Sequence, residues 1–174
     1  MALAVCLLFD DRTDRALRSL WARLELLGVR TLLSHTHGRH VPHLSLAVLR
    51  EYDVEAVLTA VSKLPAAAAT PLYFDALGMF RRSRCWLVPA VGSDLLTRQE
   101  RVVNAVVETG ADLHRHYRPG LWVPHCTVAP RLRLEQLATV AATVYDVLPL
   151  EAVAERAALV DSGTGERWPL PHCP

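Results

Sequence analysis

Val41-Pro42-His43-Leu44-Ser45-Leu46-Ala47 and Val123-Pro124-His125-Cys126-Thr127-Val128-Ala129 spell one pattern twice. Both read V-P-H-x-[S/T]-apolar-Ala, 82 positions apart. With eight His and eighteen Ser plus Thr among 174 residues, chance supplies roughly one H-x-[S/T] match, so histidine and hydroxyl alone decide nothing. The shared Val-Pro before them and the apolar residue and alanine after them are much harder to obtain by accident. Each copy also follows a helical pattern through a loop and opens a strand-like run. An internal repeat of this kind predicts two similar halves.

Strand geometry gives the repeat a chemical meaning, because alternate side chains share a face. His43 and Ser45 are predicted on one face with Ala47 beyond them, and His125 and Thr127 on one face with Ala129 beyond. Leu44, Leu46, Cys126 and Val128 turn the other way, into a core. Proline suits a strand's first position, where no ladder N–H is needed. A lone H-x-S on a strand is ordinarily a surface or hydrogen-bonded histidine. That reading must here account for two equivalent copies, and a polar pair is a poor choice for packing alone. Two imidazoles facing one another suit in-line displacement at phosphorus: one takes a proton from the attacking oxygen, the other gives one to the leaving oxygen. The hydroxyls of Ser45 and Thr127 can donate to the non-bridging oxygens, where charge builds. The scheme requires no metal and no cofactor.

Working outward, Ala2–Phe9 reads as a buried strand, too short an apolar run for a signal peptide or membrane span. Leu17, Leu20, Trp21, Leu24 and Leu27 fall on one helix face, with Thr13 or Asp14 as cap and Gly28 as stop. Thr31–Ser34 is predicted as a short strand and His43–Leu49 as a longer one. Asp53 caps a helix carrying Val54, Val57, Leu58 and Val61, which Pro65 stops. Leu72–Phe80 and Arg84–Ala90 flank Arg81, Arg82 and Ser83 as a hairpin. A helix begins near Asp94 with Leu95, Val102, Val103 and Val106. Val123–Ala129 is a strand, and Leu137, Val140, Ala141, Val144 and Leu148 mark a helix. Ala157–Asp161 and Glu166–Leu170 flank Ser-Gly-Thr-Gly as a second hairpin. Helices alternate with strands, yet the hairpins exclude a purely parallel sheet. The reading is one α+β domain over residues 1–174, built from two similar lobes.

Composition fits this and removes other classes. Apolar residues make up 51% and charged residues 21%, an ordinary globular mix that excludes a disordered chain. A net charge of +1 excludes binding to nucleic acid by bulk charge, so any phosphate site must be local. Cys6, Cys85, Cys126 and Cys173 are far apart, which reads as free thiols in a reducing, cytoplasmic compartment.

At the repeated residues the sequence resembles the 2H phosphoesterase superfamily, nearest its bacterial RNA 2′-5′ ligase and 2′,3′-cyclic phosphodiesterase branch, which two H-x-[S/T]-x motifs define. The resemblance spans about residues 1–170. It implies a bilobal fold: two pseudo-twofold-related lobes of mixed or antiparallel sheet, helices outside, a cleft between. It implies an enzyme of RNA processing that hydrolyses a 2′,3′-cyclic phosphate to a 2′-phosphate, or performs 2′-5′ transfer, on RNA ends or nucleotide cyclic phosphates. A monomer without membrane association is expected. The two histidines carry over to His43 and His125 and the hydroxyls to Ser45 and Thr127. On the branch's assignment, His43 is the acid and His125 the base; the sequence itself does not break the symmetry. Thr is common in the branch where Ser45 stands. Members often carry an Arg shortly after the second motif, but Pro130 occupies that place. Arg131 is one step on, which turns its side chain to the opposite face of a strand. Arg81, Arg82 and Arg84 at the hairpin tip are the alternative cations facing RNA, and fit a solvated turn equally well.

Two other readings stand beside this one. His35, His37, His40 and His43 put four imidazoles in nine residues, a pattern that neutral-imidazole metal sites use, although no Asp or Glu lies among them. A non-catalytic RNA- or nucleotide-binding module would keep the cleft, with Trp86 or Trp122 stacking a base; both tryptophans also fit the core.

Overall fold

A computed structural model describes residues 2–81 and 83–174. Among the described residues seven strands form one sheet: β1 (Leu3–Phe9), β2 (His43–Leu49), β3 (Thr70–Phe80), β4 (Arg84–Pro89), β5 (Cys126–Ala129), β6 (Leu150–Asp161) and β7 (Arg167–Pro169). The helices are α1 (Asp11–Leu26), α2 (Val54–Ser62), α3 (Ser93–Glu108) and α4 (Leu137–Tyr145). Strand order is β2-β1-β6-β3-β4-β5, with β7 also on β6. Every pairing is antiparallel, so of the mixed or antiparallel expectation the antiparallel form is what the chain adopts. The sequence marks only the last five residues of β6, yet it has 12. Its first part pairs with β3 and the rest with β1 and β7, so this one strand crosses both lobes.

The helices cover one face. Leu17, Leu20, Trp21 and Leu24 of α1, Val57 and Val61 of α2, Val102 and Val106 of α3 and Val140 and Val144 of α4 pack with Leu3, Val5, Leu7, Leu44 and Leu87 of the strands into one buried core. The other face of the first lobe carries a smaller apolar floor of Ala4, Cys6, Ala158 and Val160, flanked by Leu8 and Val48. The two strands at opposite ends of the sheet, β2 and β5, come within 8 Å of each other, because the sheet curls until its edges meet.

Local chemistry corrects several boundaries. The cap of α1 is Asp10, whose carboxylate accepts from the Thr13 N–H at 2.9 Å, not Thr13 or Asp14. Gly28, at φ +76°, ends it as expected: its N–H and that of Val29 return to the carbonyls of Glu25 and Leu24 at 3.0 Å, a left-handed stop that suits glycine. Residues 31–34 are not a strand. One Glu25 oxygen accepts from the backbone N–H and hydroxyl of both Thr31 and Ser34, which wraps the segment around a carboxylate and leaves no ladder. The α4 helix stops at Tyr145, before Leu148, and the strand predicted from Val123 begins only at Cys126. All four cysteines are buried and free. Among the described residues no helix is long and apolar enough to cross a membrane.

Candidate active site

The two motifs share a backbone device that the sequence pattern conceals. Cys6 of β1 pairs with Ser45, but its neighbour Val5 pairs with Ala47, so Leu46 is an extra residue. Trp86 of β4 pairs with Thr127, but Cys85 pairs with Ala129, so Val128 is extra in the same way. Each motif strand therefore carries a β-bulge one residue past its hydroxyl. A bulge interrupts alternation, so Leu46 and Ala47 both turn into the core, as do Val128 and Ala129. This corrects the placing of Ala47 and Ala129 on the histidine face; they are fully buried on the opposite side. Leu44, Leu46, Cys126 and Val128 lie in the core as expected.

Both imidazoles are anchored identically. His43 Nδ1 lies 2.7 Å from the Val41 carbonyl, and His125 Nδ1 lies 2.7 Å from the Val123 carbonyl. A carbonyl only accepts, so Nδ1 carries the proton and donates, and Nε2 is left to accept or exchange one. Because β2 and β5 are the meeting edges, the two histidines are neighbours: the Cys126 thiol sits against the His43 backbone N–H. Burial lowers the pKa of both rings, with the carbonyl contacts opposing. His125 falls to about 4, where the charges of His43 and Arg84 add to desolvation.

What surrounds the rings differs between lobes. Ser45, 8% exposed, has its Oγ 3.6 Å from the Cys6 sulfur, beside the phenol of Tyr117. The Trp122 indole N–H donates to the Ser45 carbonyl at 3.1 Å, and the Gln99 amide donates to the Leu46 carbonyl at 3.2 Å and to the Tyr117 carbonyl at 2.7 Å. These donors come from α3 and from the connection leading to β5, so the second half of the chain clamps the bulge of the first. In the second lobe His125 is boxed by aromatic rings. Its centroid is 5.0 Å from Phe80 at an edge-on angle and 5.6 Å from Trp86, and those two lie 4.7 Å apart. Gly78 makes this possible: a Cβ there would come within 2.6 Å of the Trp86 ring. Sequence reasoning missed Phe80, Gly78, Gln99 and Tyr117. A glycine inside an aromatic strand, a mark of close approach, was the one signal present.

Arg81 is exposed at the hairpin turn, and Arg82 lies outside the described residues. Arg84 opens β4 on the Trp86 face, opposite Phe80. Arg131 is exposed and its charge acts on His35. In the histidine-rich loop the His37 and His40 rings lie 4.2 Å apart and the His35 and His40 rings 5.6 Å apart, at shallow angles. They stack instead of converging, and among the described residues no group of three or more His, Cys, Asp or Glu is arranged to hold a metal ion. A hollow of about 390 Å³ between α1 and α4 contains none of the motif residues. A smaller one, about 190 Å³, is bounded by Leu8, Val41 and Pro42 against the first motif.

The sequence profile of the 2′-5′ RNA ligase superfamily matches residues 10–166. The chain belongs to this superfamily. As a member it has the expected fold: E. coli LigT in its apo form superposes with a TM-score of 0.64 at 16% identity, over 97% of this chain and 94% of that one. TT0787 of Thermus thermophilus gives 0.64 at 20% identity over 99% of each. E. coli LigT complexed with 3′-AMP gives 0.62 at 15%, over 98% and 97%. No curated protein sequence matches this superfamily member.

Proposed function

We propose that the protein is a metal-independent phosphoesterase that opens 2′,3′-cyclic phosphates, on RNA ends or nucleotides, to 2′-phosphates. His43 is the acid and His125 the base. The observation that carries this is the matched anchoring of two neighbouring imidazoles through Nδ1, which leaves two Nε2 atoms for proton transfer. In the step, water oxygen bonds to phosphorus while His125 Nε2 takes its proton. The bond from phosphorus to the 3′ oxygen breaks, and His43 Nε2 gives that oxygen a proton. Exchange with solvent then restores both rings. Ser45 and Thr127 donate hydrogen bonds to the non-bridging oxygens. A 5′-hydroxyl in place of water performs 2′-5′ transfer by the same step.

The coupling of the two rings supports a pair of opposite roles. The charge of one ring opposes a charge on the other, so the pair favours one protonated and one neutral imidazole, as acid and base require. Burial lowers His43 in the free protein, and the negative charge of a bound phosphate restores its proton. The structure of a relative complexed with 3′-AMP supports a nucleotide substrate.

The test is incubation in excess chelator with 2′,3′-cyclic nucleotides and cyclic-phosphate oligonucleotides, with products read by phosphorus NMR. A 2′-phosphate is expected. No turnover, a 3′-phosphate, or activity lost in chelator and restored by zinc would overturn the proposal.

A further inference from the structure

Eighteen of the nineteen basic residues are arginine, so an arginine is singled out only by its place. Arg84 has an unusual one. It is exposed, opens β4 opposite Phe80, and lies on the same strand face as Trp86. Phe80 and Trp86 are the two rings that box His125. Among the described residues Arg84 enters no ion pair.

Its charge reaches four groups from separate segments: His35 in the loop before β2, His114 and Tyr117 in the connection before β5, and His125. The other groups acting there are Arg30, Arg131 and His37 on His35, Arg50, Arg115 and His116 on His114, Cys6 on Tyr117, and His43 on His125. No carboxylate is among them. Arg131, held beside the β4 start by the bond from the Leu132 N–H to the Ser83 carbonyl at 2.7 Å, acts on His35 and not on His125. An arginine on the strand face of the His125 box, its charge felt at His125 and with no acid among the groups acting there, fits an anion that arrives with the ligand.

We propose that Arg84 is the cation that binds the reacting phosphate: its guanidinium donates to the non-bridging oxygens opposite the Ser45 and Thr127 hydroxyls. This rests on the proposed reaction and adds to it a strand-borne cation where Pro130 leaves none after the second motif. Two parallel N–H donors match two phosphate oxygens. The same positive charge adds to burial in keeping His125 unprotonated and ready as a base.

The experiment compares wild type with Arg84→Ala and Arg84→Lys in two measurements: calorimetric binding of 2′-AMP, and the pH dependence of kcat/KM on a 2′,3′-cyclic nucleotide. Arg84→Ala is expected to bind 2′-AMP about 10- to 100-fold more weakly. Its acid limb should move to higher pH, because removing a nearby positive charge raises the His125 pKa. Arg84→Lys should keep the limb in place and part of the affinity. A purely structural role would not move the limb, and the side chain's exposure keeps both variants folded, which a thermal melt checks. Unchanged 2′-AMP affinity and an unchanged acid limb in Arg84→Ala would overturn the assignment while leaving the reaction intact. Wild type that binds 2′-AMP through Arg84 but turns over no cyclic phosphate would keep the anion site and sink the reaction.

Discussion

Strands β2 and β5 make the same anchor and the same bulge against different neighbours. In both, a histidine donates Nδ1–H to a carbonyl two residues back, a hydroxyl follows on the same face, and one extra residue then turns an alanine into the core. Beneath Ser45 lies Cys6 on a floor of small apolar residues; beneath Thr127 lies Trp86. A bulge frees carbonyls from the ladder. Those of Ser45 and Leu46 are taken by Trp122 and Gln99, whereas among the described residues no side chain donates to those of Thr127 or Val128. The backbone device fixes where the two histidines and the two hydroxyls stand, and the neighbours differ around them. The first half is tied down; the second offers an aromatic wall and a cation.

The largest test of the equivalence is to remove each imidazole. His43→Ala and His125→Ala should each lower turnover by about 10²–10⁴, and the double variant by less than the product, because the two act as a unit. Full activity in either single variant would break the comparison at its root. Next come the hydroxyls. Ser45→Ala and Thr127→Val should each cost about 10²–10³ in kcat if both donate to the developing charge. A loss confined to one of them would show that the phosphate leans on a single lobe, and steady-state kinetics of the two variants decides it.

How much of this was legible in the chain follows from the range of each interaction. The duplicated Val-Pro-His, the alternation around it and the helix caps at Asp53 and Gly28 are local, and the strand and helix order came from them. The bulges were not legible. Whether Leu46 is extra depends on the register against β1, and that is set by pairing with residues some 40 positions away. The repeated alanine was the visible trace of the bulge, yet simple alternation put it on the wrong face. The 31–34 segment carries β-prone residues, but the Glu25 carboxylate claims its donors. Trp86 was visible as an aromatic residue, but its place against His125 depends on Gly78 in another strand.

The asymmetric clamp gives a smaller effect, on stability. Gln99 is 2% exposed, and Gln99→Leu keeps its approximate volume while leaving the Leu46 and Tyr117 carbonyls without their donor. Unfolding in urea should show a loss of about 1–3 kcal/mol, with His43-side geometry disturbed more than His125-side geometry. The latter is read by how far the Nε2 resonances of each imidazole shift in NMR. Equal disturbance of both rings would mean that the halves are coupled more tightly than one clamped bulge implies.

The smallest effect is an acid sensitivity shared by both lobes. His40 in the histidine-rich loop and His125 by the aromatic wall both sit near pKa 4, desolvation being the largest cause in each. Their unfolded value is about 6.5. The unfolded chain therefore binds protons between those values that the folded chain refuses. The stabilising difference is complete above about 6.5, falls as the pH drops, and has gone below about 4. His35, His43 and His114 are lowered too and act in the same direction. The His40 and His125 rings are only half-buried, so solvent screening leaves a fraction of that difference; the thermal midpoint should fall by a few degrees between pH 7 and pH 4.5, and His40→Gln should flatten that slope without touching turnover at pH 7. His125→Gln should flatten it as well, but at the cost of activity. If His40→Gln instead abolished turnover, the loop of the first lobe would belong to the reacting groups, and the division between a tied-down half and a working half would have to be redrawn.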